Sequence, residues 1–156
     1  MPPCLAVKLQ SYLSMEYAES LHWEHFSHGA DVGVRGYGRT PEEAFQTAAM
    51  ALTAVVADPQ SVSPTTALKI RCEDRDIELL FLDWMNALVF EMDTKRMLFS
   101  AFKVRIADGR LEGDAWGEPL DLGKHEPAVE IKGATMTELK VAESNGRWIA
   151  QCVVDV

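Results

Sequence analysis

Apolar positions recur along this chain in two rhythms, and the changes between them mark its elements. Phe45, Ala48, Ala49, Leu52, Val55 and Val56 stand three and four apart, the spacing of one buried helix face. Thr40 precedes them as an N-cap, with Pro41 at the first helical position and Glu43 placed to close a capping box, and Asp58-Pro59 should stop the helix. A loop with Pro59 and Pro64 leads into an alternating strand of Leu68, Ile70 and Cys72. A second helix, starting near Asp74 or Asp76, carries Ile77, Leu80, Phe81, Trp84, Met85, Leu88 and Met92 on one broad stripe.

From there the rhythm has a period of two. Phe102, Val104 and Ile106 alternate up to Asp108-Gly109, a hairpin signal, and Leu111 to Trp116 should return antiparallel. Val129 to Ile131, Leu139 to Val141 and Trp148 to Val154 read as further strands, with Asn145-Gly146 turning the last two. Helices come early and strands accumulate late, so the pattern predicts an α+β domain: two main helices on a mostly antiparallel sheet. Residues 1–20 read as an extension outside the core, with Met15 as an alternative start, and residues 21–156 as a single domain.

Composition changes this picture little, and charge changes it more. At 156 residues and 47% hydrophobic content the chain can bury a core without staples. Its net charge of −9 disfavours autonomous binding to phosphate backbones, which needs clustered Lys and Arg. Cys4, Cys72 and Cys152 show neither disulfide nor zinc spacing and read as buried, reduced thiols of a cytoplasmic protein. No apolar run reaches the ~20 residues of a membrane span.

Candidate chemistry lies in three places. His28 and Asp31 stand at the entrance of a glycine-bearing strand, suited either to a cation or to closing a turn by side-chain hydrogen bonds. The glycines at 33, 36 and 38 do not make a phosphate loop. Asp155 and Val156 put a carboxylate pair at the end of the last strand, which either joins Asp31 around a hard divalent ion or is simply solvated. Glu118, Asp121, His125 and Glu126 crowd a Gly/Pro-punctuated segment that reads as a recognition loop or an exposed acidic one. Lys132, in the strand after it, suits a carboxylate or phosphate partner or a snorkelling edge position. The acidic run from Glu73 to Glu78 belongs to a helix start, where the dipole favours negative charge. No Ser/His/Asp order, HExxH or Walker loop is present.

Several ordered blocks resemble the archease family. They are Trp23-Glu24, His28-Gly29-Ala30-Asp31-Val32, Thr40-Pro41-Glu42-Glu43-Ala44-Phe45, Trp84-Met85-Asn86-Ala87-Leu88, Gly117-Glu118, Glu130-Ile131-Lys132-Gly133-Ala134-Thr135 and the terminal Asp155-Val156. The resemblance implies an SHS2-related fold and an accessory role: activation of the RNA-splicing ligase RtcB, promoting its guanylylation and multiple turnover in tRNA splicing or RNA repair, with RNA contacted only through the ligase. It further implies a divalent cation (Ca, Mg or Mn) held by Asp31, Asp155 and Val156, with His28, Glu118, His125 and Lys132 supporting it or meeting the partner. Gly29 stands where the family usually has Thr, and Met136-Thr137 where it has Tyr-His. Two rival readings are a metal-dependent hydrolase using Asp31, His125 and Asp155 around an activated water, and a chaperone-like interaction module.

Overall fold

A computed structural model describes residues 22–156, so the extension at 1–20 and Cys4 fall outside the described residues. The first described elements are a hairpin, Trp23–His28 (β1) and Asp31–Gly38 (β2), with His28 directly opposite Asp31. Gly29 takes φ +60° at the first central position of the two-residue turn, as in a type II′ hairpin. His28 therefore closes the first strand, and Asp31 opens the second.

Pro41–Val56 (α1) follows as the periodicity predicts. The Thr40 hydroxyl accepts the Glu43 N–H, and the Glu43 carboxylate reaches back to the Arg39 N–H. The helix lies close on β2. A Cβ at Gly36 would overlap the backbone of Ala44 and Ala48, so only glycine allows this approach. A short 3-10 turn at Pro59–Ser61 then leads into Thr66–Glu73 (β3). The second long helix, Ile77–Lys95 (α2), is capped by Asp76, whose carboxylate accepts the N–H groups of Glu78 and Leu79. Met97–Ala107 (β4) and Arg110–Pro119 (β5) form the expected hairpin at Asp108-Gly109, where both turn residues have positive φ.

The α+β expectation holds, with the antiparallel strands divided between two sheets where the pattern predicted one. β3, β5 and β4 form a three-stranded sheet in that order. β1 and β2 pair with Arg147–Asp155 (β8), whose far edge takes both Lys140–Ser144 (β7) and the two-residue Gly133–Ala134 (β6). α1 packs against β2 and β8 of one sheet and β4 of the other, while α2 covers β3, β5 and the edge strands β6 and β7. The helices meet where the Phe45 and Phe81 rings touch edge-on at 5.0 Å and the Trp84 indole N–H donates to the Phe45 carbonyl at 3.1 Å.

Two local expectations fail. Val129 to Ile131 is not a strand: the Ala128 N–H is taken by the Val56 carbonyl at the end of α1, which leaves this stretch running irregularly between the two sheets. Glu118 lies within β5 and His125 within the helical turn Leu122–His125 (α3), so these two are not parts of an exposed loop. Cys72 and Cys152 are free, and burial pushes their thiols up to about 11 and about 12, which keeps both protonated and unreactive.

Candidate functional site

Asp31 begins β2 and Asp155 ends β8. The two strands pair with Val32 opposite Val154, and carrying that register one residue further sets Asp31 opposite Asp155. The Asp31 carboxylate accepts the Val156 N–H at 3.3 Å, which ties the last residue to the first hairpin. On the far edge of β8, Gly133 stands opposite Asp155, and the Lys132 N–H donates to the Asp155 carbonyl at 2.8 Å. Asp31, Lys132, Asp155 and Val156 thus meet at one end of the five-stranded sheet. His28 stands exposed beside them, across the turn from Asp31.

Like charges directly opposite on neighbouring strands repel, and a cation held between them reverses the sign. Among the described residues no three His, Cys, Asp or Glu side chains gather closely enough to hold an ion. A cation at this end of the sheet would meet two side-chain carboxylates and main-chain or terminal oxygens, with water needed to complete its shell. An all-oxygen, partly hydrated set of this kind fits a hard divalent cation and excludes a soft one.

Glu118 and His125 belong to a different cluster. The Glu118 carboxylate accepts the Lys124 ammonium at 2.8 Å and the Ser63 N–H, and lies 3.2 Å from the Nε2 of the buried His125. The Asp121 N–H donates to His125 Nδ1 at 2.9 Å, which leaves the ring proton on Nε2 facing Glu118. Chiefly the Lys124 bond, then the Ser63 N–H, hold the Glu118 carboxyl down at about 2. Every polar atom of the His125 ring is occupied within the protein. The cluster clamps the end of β5 to the segments on either side of it and contributes no ligand to Asp31 and Asp155.

Two features escaped the sequence reading. The Arg35 guanidinium links Glu24 at 2.6 Å to Gln151 at 2.7 Å, and the Tyr37 hydroxyl also donates to Glu24 at 2.6 Å, so side chains of β1, β2 and β8 are bonded together across the sheet. Chiefly the Tyr37 bond, then the Arg35 one, lower the Glu24 carboxyl. The signal was present in the alternation of Arg35 and Tyr37 along β2. Asn86 is the second: it is a polar residue between the buried Met85 and Leu88, and its amide bonds both backbone groups of Ala134.

Two helices on two antiparallel sheets, with the last strand's end closed on the first hairpin, define an α+β domain whose candidate site is assembled from opposite ends of the sequence. The chain belongs to the archease protein family (MTH1598/TM1083), whose family model matches residues 23–156. The archease of Pyrococcus furiosus is 40% identical over 139 residues, which cover 86% of this chain and 98% of that protein. The archease of Sulfurisphaera tokodaii is 38% identical over 136 residues, with the same coverage. Among solved structures, the solution structure of Methanobacterium thermoautotrophicum protein 1598 is similar at a TM-score of 0.77 and 33% identity, covering 86% of this chain and 98% of that one. A Thermotoga maritima crystal structure, described as an archease and possible chaperone, shares the fold at a TM-score of 0.55 and 16% identity, covering 85% of this chain and 96% of that one. No helix among the described residues is long and apolar enough to cross a membrane.

Proposed function

We propose that this protein is an accessory activator of an RtcB-type RNA ligase in the cytoplasm, and that it promotes the ligase's guanylylation and multiple turnover through a divalent cation held by Asp31, Asp155 and Val156. The observation that carries the reading is the Val156 N–H bond to Asp31, because with the β2–β8 register it brings the two aspartates of distant sequence blocks to one end of the five-stranded sheet. Membership of the archease family supports it.

The chain's own residues hold and orient. Asp31 and Asp155 supply carboxylate oxygens, the β2–β8 pairing fixes their separation, and Lys132 anchors the strand end through its backbone while presenting an exposed ammonium. Asp31, Asp155 and Val156 would hold the ion, Ca2+, Mg2+ or Mn2+, and when bound it would supply positive charge to stabilise phosphate groups of the ligase's nucleotide. With a net charge of −9, contact with RNA is left to the ligase. The hydrolase reading loses its third group, since His125 is buried and bonded elsewhere.

The test is multiple-turnover ligation with this protein substoichiometric to the ligase. Wild type is expected to stimulate turnover, and Asp31→Ala and Asp155→Ala are each expected to lose most of that stimulation while remaining folded. Equal stimulation by both variants would overturn the reading. Retained ligase binding with no detectable cation would favour a chaperone-like module, the description given to the Thermotoga protein.

A further inference from the structure

The two-residue strand β6 is the shortest among the described residues, yet it brings Gly133, and Lys132 just before it, to the end of β8, where Asp155 sits. A pair this short holds little by its own ladder. Its outer edge would present the N–H and C=O of Ala134 unpaired, which is costly for half-buried backbone. Asn86 of α2 fills that edge. Its Nδ2 donates to the Ala134 carbonyl at 3.1 Å and its Oδ1 accepts the Ala134 N–H at 2.9 Å, so one side-chain amide does what a neighbouring strand would do.

The same helix holds the other edge strand by a different residue. Glu78 accepts the Val141 N–H of β7 at 3.0 Å. Glu78 and Asn86 are eight positions apart, about 12 Å along the helix axis at 1.5 Å per residue. Each grips the strand it reaches, and only the Asn86 grip leads to the candidate site: Ala134 continues through Gly133 to Lys132, whose N–H bonds the Asp155 carbonyl. Neither apolar periodicity nor helix propensity calls for Asn at this position, between Met85 and Leu88 of the α2 stripe.

We infer that Asn86 is a positioning residue for the cation site: by completing the outer edge of β6 it fixes Lys132 and the Asp155-Val156 end of β8 opposite Asp31. The inference rests on the proposed cation site, and it acts through the backbone, since Asn86 makes no contact with Asp31 or Asp155. Removal of a group bonded directly to a metal ligand typically weakens the site about 10–100-fold, and Asn86 acts further out, through the backbone from Ala134 to Lys132, so a loss of up to about tenfold is expected.

The test uses the full chain with Asn86→Ala, Asn86→Leu and, as a control, Glu78→Ala. Asn86→Leu keeps the volume and removes both hydrogen bonds, so it separates positioning from packing. Titration with Ca2+ by calorimetry is expected to show both Asn86 variants binding more weakly than wild type, by up to about tenfold, and Glu78→Ala binding like wild type. Amide exchange is expected to accelerate at Lys132 and Ala134 in both Asn86 variants, with the amides of α1 and β2 unchanged. Wild-type affinity in Asn86→Leu, or unchanged exchange at Lys132, would overturn the inference. If wild type binds none of Ca2+, Mg2+ or Mn2+, the proposed cation site fails and the inference falls with it, whereas wild-type binding that Asn86→Leu leaves unchanged overturns the inference alone.

Discussion

Asp31 and Asp155 are separated by most of the sequence, and the β2–β8 register makes them neighbours. Their opposition carries a cost of about 0.2–1 kcal/mol in the absence of a cation. Asp155→Asn is therefore expected to raise the melting temperature in chelator by up to about 4 °C, and to lack the further rise expected when Ca2+ is added to wild type; thermal unfolding with and without Ca2+ checks both. Glu118 behaves oppositely. Its folded carboxyl lies at about 2 against an ordinary 4.5, so it stabilises the fold above the unfolded value, and that contribution is lost as pH falls through the folded value. Glu118→Gln should lower the denaturant midpoint at pH 7, and the difference from wild type should shrink from about pH 4.5 downward and vanish near pH 2. From the residues alone, Asp31, Asp155 and Lys132 stood out by their places at strand ends, with a turn, a solvated terminus and an edge lysine equally open to them; only the resemblance to the archease family joined the two aspartates in one site. The burial of His125 was not readable, because a Gly/Pro-punctuated acidic segment gives no sign that its one imidazole is bonded inward by Asp121 and Glu118.

Elements with local signals matched the structure closely. The Thr40 cap, the Asp76 cap and the Asp108-Gly109 and Asn145-Gly146 turns are each written in two to four adjacent residues, and all four form. Elements defined by distant pairing did not match as well. Val129 to Ile131 has the composition of a strand, but its neighbour is the end of α1, and apolar content there covers the core without joining a ladder. The division of strands between two sheets likewise depends on α1 inserting against both, which no local period records. That insertion makes a prediction. Gly36→Ala places a methyl group against the α1 backbone, and overpacking of this kind costs about 1–3 kcal/mol. Because β2 is displaced with it, chemical denaturation should show the loss of stability and cation titration should show weakened affinity together.

At the scale of the molecule, α1, the two sheets and α2 make a scaffold that leaves the aspartates at one end of the five-stranded sheet, on β2 and β8, which side chains bond across the sheet to β1 and beside which Asn86 of α2 holds β6. A net charge of −9 suits this protein poorly to gripping RNA itself, and under the proposed function a cation held at its acidic end would be offered to a partner's phosphate-binding site. The most direct test is guanylylation of an RtcB-type ligase with this protein at about one tenth of the ligase concentration. Before mixing, the wild-type chain and an Asp31→Ala/Asp155→Ala double variant are stripped of metal and reloaded. Reloaded wild type should drive guanylylation of many ligase molecules per molecule of this protein, and the folded double variant should give only the ligase's unaided level. Equal guanylylation by both would contradict the claim that a cation held by Asp31 and Asp155 is the means of activation.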